Sequence, residues 1–200
     1  MLASPINQKL PVVYIAEEVY RKLRMYADLC NSEISALGCA TYKNGNFTVD
    51  EIYLFEQTVT SGSTDISTGA VSKFLYEHIR SGKDPERIKF WWHSHAKMGV
   101  FWSATDEGTI TRFNNGWMLS TVSNKQGNHL VRLDIYEPLH LTLNLPFEIV
   151  YNTNPDDCEE IWKEISDKVK ILGFWNEFPK FDNRDPLTRR GDINGFSPTA

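Results

Sequence analysis

Two hundred residues, 41% hydrophobic and 12% aromatic, suit one domain with a sizeable core, and a formal charge of −5 argues against nucleic-acid binding as the main task. Cys30, Cys39 and Cys158 are an odd set with no close pairing and no finger-type spacing, which argues against a disulfide scaffold and a structural zinc and favours a reducing compartment. No stretch approaches the ~20 apolar residues of a membrane helix and no cleavable leader is expected, so the expectation is a soluble cytoplasmic protein.

Residues 10–15 are a short apolar strand candidate, and 17–29 read as a helix with Val19, Leu23, Tyr26 and Ala27 on one face. Residues 34–42 and 47–55 read as strands joined at Lys43-Asn44-Gly45, a hairpin signal. A polar loop is expected over 60–69. A helix follows over 71–80 with Val71, Phe74, Leu75 and Ile79 inward, stopped by Ser81-Gly82. Asp84-Pro85 leads into an aromatic and β-branched run, 87–92, that reads as a buried strand. Further strands are expected over 117–122 and 129–136, and β-structure over 139–145 and 147–151, broken by Pro146. A late helix is expected over 156–172, with Ile161, Ile165, Val169 and Leu172 as its stripe. Residues 176–200, with Pro179, Pro186 and Pro198, read as a flexible or loosely packed tail appended to a domain over 1–175. Strands interleaved with helices give an α/β (α+β) class: a mixed β-sheet flanked by helices.

The most informative stretch is Trp92-His93-Ser94-His95, followed after seven residues by Ser103-Ala104-Thr105-Asp106. Side chains two apart on a strand share a face, so both imidazoles project together. Residues 96–102 read as a loop pivoting at Gly99. Ser103-x-x-Asp106 then resembles a helix cap, which puts Asp106 in the first turn, where the helix dipole favours a carboxylate. Two histidines and a carboxylate are the donor set of a catalytic zinc site, three protein ligands with a fourth position open. Each piece alone is commonplace, since single histidines are usually core groups and Ser-x-x-Asp usually only caps. Their spacing in combination points to a metal-dependent hydrolysis. His78, His129 and His140 lack ligand spacing and read as structural or surface groups.

His93, His95, Ser103 and Asp106 resemble the JAMM motif of the MPN-domain zinc metallopeptidases. That family includes the zinc deubiquitinase of the proteasome lid, the deneddylating subunit of the signalosome, and stand-alone prokaryotic and viral members, which this chain is most similar to in size. The resemblance covers residues 10–150. It implies an MPN/JAMM, cytidine-deaminase-like architecture and one zinc held by His93, His95 and Asp106. It also implies an oxyanion supported by Ser103 and a glutamate on an early strand, met by Glu33 at the head of 33–40. Glu33 would then be the general base, with Glu51 and Glu56 as rivals near a second strand. The chain departs from the family at two places. Glycines are usual three and often seven residues after the glutamate, where this chain has Ala36 and Ala40 with Gly38 between. Proline commonly follows the second histidine, where this chain has Ala96-Lys97.

The implied reaction is cleavage of a peptide, or of a ubiquitin-like tail from a lysine side chain. The loops 60–69 and 98–102 would border the groove, and Trp92, Phe101 and Trp102 are candidates for its apolar walls or for the core. One alternative is a catalytically silent MPN-type scaffold or binding module. Another is a zinc deaminase, against which the missing Pro-Cys-x-x-Cys argues. Oligomeric state is left open.

Overall fold

A computed structural model of the chain describes residues 9–150 and 158–171. The expected tail, and the ends of the expected strand at 151 and helix at 156–157 and 172, lie outside the described residues. The class is mixed α/β. Strand β1 (Val13–Ala16) runs into helix α1 (Glu17–Leu29), whose first turn places Glu17 and Glu18 at the positive end of the helix dipole. Strands β2 (Ser35–Lys43) and β3 (Asn46–Leu54) form the expected hairpin, with Asn44 and Gly45 both at positive φ, as a tight two-residue turn requires.

Two short strands, β4 (Gln57–Thr60) and β5 (Ser63–Ile66), follow, and then α2 (Thr68–Arg80). Strand β6 (Ile88–Ser94) precedes α3 (Ala104–Phe113), β7 (Trp117–Ser123), β8 (His129–Ile135), β9 (Leu141–Asn144) and β10 (Phe147–Val150). The described chain ends with α4 (Cys158–Lys168) and β11 (Val169–Ile171).

Eight strands form one sheet in the order β10-β1-β3-β2-β6-β7-β8-β9, and β11-β4-β5 form a second, small sheet. The large sheet is mixed: β6 lies antiparallel to β2 and parallel to β7. It is covered on both faces. One face carries the main core, with Val19, Leu23 and Tyr26 of α1, Ile161 and Ile165 of α4, and Phe90, Trp92 and Leu119 of the sheet. The other carries Leu37, Trp91, Met118 and Ile110 of α3, against Val71 and Phe74 of α2. Strand β6 is therefore buried on both sides, which is why its sequence is a near-continuous apolar run without alternation. Adjacent tryptophans part company there: Trp92 enters the main core and Trp91 the second one.

Three expectations are corrected. The polar loop over 60–69 contains β5, paired with β4 in a hairpin that ends at Ser67, the N-cap of α2. The late helix stops at Lys168, and Val169–Ile171 is a strand parallel to β4. Its apolar residues satisfy either period, and the partner strand is over a hundred residues away. Ile79 of α2 is exposed, and His78 takes the inward position. Residues 71, 74, 75 and 78 share one helical face, and residue 79 lies a further ~100° round. Among the described residues no helix is long and apolar enough to cross a membrane.

Candidate metal centre

The site lies where β6 ends. Ser94 N donates to Ile34 O and His95 N to Ser123 O, each at 2.8 Å, so the strand stays fixed between its neighbours up to and including His95. His93 and His95 emerge on the α3 side of the sheet, and the chain returns from the loop at 96–102 with the first turn of α3 facing them. Ser103 and Asp106 form a reciprocal cap there. Ser103 N donates to Asp106 Oδ2 (2.7 Å) and Asp106 N to Ser103 Oγ (3.2 Å).

The three side chains meet. His93 Nε2 is 3.2 Å from His95 Nε2 and 3.1 Å from Asp106 Oδ1, and His95 Nε2 is 3.6 Å from Asp106 Oδ2. Ligands arranged tetrahedrally at zinc bond lengths of ~2.0–2.2 Å stand about 3.3–3.6 Å apart, so the imidazole pair and the His93–Asp106 pair lie near the separation that one four-coordinate ion sets between its ligands. All three residues are buried. Burial holds the His93 imidazole below its usual range against the pull of Asp106, which favours the neutral, ligating form. Burial opposes ionisation of Asp106, but hydrogen bonds from His93 and Ser103 outweigh it and keep the carboxyl well below the usual range. His95 Nδ1 lies 2.9 Å from Gly99 O. With its proton given to that carbonyl, Nε2 keeps its lone pair turned into the cluster. His93 Nε2 donates its hydrogen to Asp106, and a cation that displaces that hydrogen meets two imidazole nitrogens and a carboxylate converging in a buried site. The cluster can hold a metal ion.

Compared with known proteins, the chain matches no family model, and no curated protein matches it.

Glu33 sits in the connection before β2. Its N–H donates to Thr60 O (3.1 Å), and the β2–β6 register pairs Ser35 with His93. Continuing that register by two residues brings Glu33 opposite His95 on the cluster side. Its carboxyl is pushed up to about 7 by burial, with His95 pulling it down and the Asp106 charge pushing it further up. Of the rivals, Glu51 is engaged elsewhere, bonded to Lys83 (2.7 Å) and Tyr53, and its carboxyl is lowered by those bonds. Glu56 is exposed in the connection from β3 to β4.

Among the aromatic candidates the positions differ. Trp92 is fully buried in the main core, with its indole N–H on Ser123 Oγ (2.9 Å), so it does not border the site. Trp91, which was not expected to line it, stacks on His93 with ring centroids 4.5 Å apart. Phe101 is exposed and packs edge-on against His95, and half-buried Trp102 lies 6.0 Å from the His93 ring. His78, His129 and His140 lie elsewhere, against Phe74, Phe147 and Tyr136 respectively. A separate cleft of about 270 Å³, lined by Leu37, Phe74, Lys89 and Phe113 among others, opens beside the first residues of β6 and shares no residue with the cluster.

Two supporting residues escaped the sequence reading. Buried Gln57 accepts from Ser35 N (2.9 Å) and donates to Ser35 O (2.8 Å), standing in for a strand partner two residues from Glu33. Arg132 binds Glu107, the residue after Asp106. Neither carries a local signal, because both act through partners distant in the chain.

Proposed function

We propose that this protein is a zinc-dependent hydrolase of the JAMM type that cleaves peptide or isopeptide bonds, with a ubiquitin-like tail on a lysine as the candidate substrate class. The observation that carries the reading is the convergence of His93 Nε2, His95 Nε2 and Asp106 within 3.6 Å of one another. A mixed sheet with helices on both faces is compatible with the MPN, cytidine-deaminase-like architecture. Zinc is favoured over harder ions because two of the three donors are imidazoles.

When bound, zinc supplies Lewis acidity, which makes water available as a nucleophile near neutral pH. The remaining work falls to the chain. Glu33, with its carboxyl pushed up to about 7, is tuned to accept a proton from water and return it to the departing amine. Ser103 Oγ accepts from Asp106 N, so its own hydrogen remains available to donate to the oxyanion that forms on the carbonyl. Gly99 O holds the His95 tautomer, and Trp91, stacked on His93, excludes water from one side of the cluster. Exposed Phe101 and Met98 offer apolar contact for an extended substrate segment.

The test joins metal content to turnover. Purified protein is expected to hold about one zinc per chain and to release amine from fluorogenic diglycine-linked substrates in a chelator-sensitive way. Zinc binding without turnover across a broad peptide and isopeptide panel would instead establish a silent scaffold. A chain that takes up no zinc would end the proposal.

A further inference from the structure

We propose that Arg132 is a positioning residue for the metal centre: it fixes the first turn of α3 so that Asp106 stays in the cluster. The inference rests on the metal-centre reading above. Arg132 lies on β8, opposite Ser120 of β7, which is in turn opposite Trp91 of β6. The three form one row across the sheet, on the face that carries His93. There the guanidinium is almost fully buried, with a side-chain exposure of 6%. It grips two carboxylates. Asp134 receives Nε and Nη2, each at 2.8 Å, and Glu107 receives Nη1 at 2.5 Å and Nη2 at 3.1 Å. Paired charge-assisted bonds of this kind fix direction as well as distance.

Glu107 directly follows Asp106, so the two side chains leave the same helical turn ~100° apart. One reaches the histidines and the other reaches β8. Helix α3 buries only Asp106 and Ile110, so apolar packing alone gives its first turn little purchase. Arg132 also lies over the Trp102 ring, 5.1 Å from its centroid, and Trp102 flanks His93. The helix that brings the carboxylate and the loop that follows the second histidine are thus both referred to one cation on a strand paired on both edges. Asp134, fully buried, is further fixed by Thr142 Oγ1 (2.8 Å) and holds the guanidinium in the plane that Glu107 needs. Outer groups that orient metal ligands typically govern affinity by ~10–100-fold when removed.

Zinc titration of the full chain against a chromophoric competing chelator, with the visible spectrum of the Co²⁺ form, tests this. Glu107→Gln is the main variant, because its half-exposed side chain can be changed without burying an unpaired charge. It is expected to weaken zinc binding by about tenfold or more and to change the Co²⁺ bands, while the metal-free protein melts close to wild type. Arg132→Lys, which cannot hold both carboxylates, is expected to weaken zinc binding to a similar extent, and the double variant to lose little more affinity than either single one. Arg112→Gln, on the exposed side of the same helix, is the control expected to change nothing. If wild type binds zinc and Glu107→Gln binds it equally well with unaltered Co²⁺ bands, Arg132 has no positioning role. If wild type itself binds no zinc, the metal-centre reading fails and this inference falls with it.

Discussion

Ser103 and Asp106 each satisfy the other's backbone N–H, and Asp106 does so with one carboxylate oxygen while the other faces His93 at 3.1 Å. The carboxylate that would complete a metal site also closes a capping box, at the third helical position after the Ser103 cap. Helix nucleation and ligand placement are therefore one event. The side chain cannot rotate away from the histidines without uncapping α3.

Ser103→Ala removes one half of that exchange. The expected cost is about 1 kcal/mol of stability in chelator-treated protein, read from urea denaturation, because one N-terminal donor loses its partner. Turnover on a diglycine-linked substrate is expected to fall by about a hundredfold, since the same hydroxyl is assigned to the oxyanion. Ser103→Thr keeps both the acceptor and the donor and is expected to restore most of the stability. A Ser103→Ala variant with wild-type turnover would leave the hydroxyl with the cap alone.

Glu33 makes the metal-free protein sensitive to pH in a defined direction. Its carboxyl moves from an ordinary 4.5 in the unfolded chain to about 7 in the folded one, mainly through burial. Between these values the folded state binds more protons than the unfolded state, so stability falls as pH rises. The penalty is absent below the lower value and complete above the higher one. Glu33→Gln removes the charge and is expected to be more stable than wild type at pH 8 by up to about 3 kcal/mol, the gap closing towards pH 4.5. Denaturant midpoints across that range, with chelator present, measure it. A gap that stays constant with pH would mean the carboxyl titrates as it does in water.

The parts of the fold legible in the sequence are those governed by local periodicity and turn chemistry. Asn44-Gly45 specifies its hairpin, Val19, Leu23, Tyr26 and Ala27 fall on the buried face of α1, and Ser103-x-x-Asp106 caps a helix because the motif is complete within four residues. The illegible parts depend on what lies across the sheet. Arg132 and Asp134 alternate with Val131 and Leu133, which from sequence reads as a solvent-facing polar side. Burial by α3 turns that side into an ionic clamp, and α3 is placed by contacts no local pattern encodes. Val169–Ile171 extends a helical stripe in sequence and becomes a strand because β4 offers an edge. Trp92 could not be assigned to a face from its run alone, since β6 is apolar on both.

Gly38 illustrates the same point in energetic terms. It sits in β2 just before two register irregularities, one against β6 after Gly38 and one against β3 after Cys39. A Cβ there would stand 2.5 Å from Glu51 O and 3.0 Å from Phe90 Cδ1. The near neighbour is backbone, which has no rotamer to yield. Gly38→Ala is expected to cost about 1–3 kcal/mol, measured by denaturation. Ala36, which already carries a Cβ on the same strand, is expected to tolerate Ala36→Gly with a loss of about 1 kcal/mol. A Gly38→Ala variant as stable as wild type would contradict the close approach.

Ala96 follows the second histidine with φ at +47°, in the left-handed region, and its N–H donates to Ser94 Oγ at 2.9 Å. The chain leaves β6 through this residue, and the turn carries Gly99 O round to His95 Nδ1. For an L residue with a side chain the conformation costs roughly 1–2 kcal/mol, which glycine avoids at the expense of a more flexible unfolded chain. Ala96→Gly is therefore expected to change stability by less than about 1 kcal/mol, in the stabilising direction, and to leave zinc affinity intact. Proline is the opposite case. Its ring fixes φ near −65° and removes the N–H, so it can neither take this turn nor keep the bond to Ser94. Ala96→Pro is expected to cost about 3 kcal/mol or more and to lower zinc affinity, because His95 loses the carbonyl that sets its tautomer. Melting curves with chelator and zinc competition on both variants separate the two effects. Full zinc affinity in Ala96→Pro would mean that His95 is oriented without the turn.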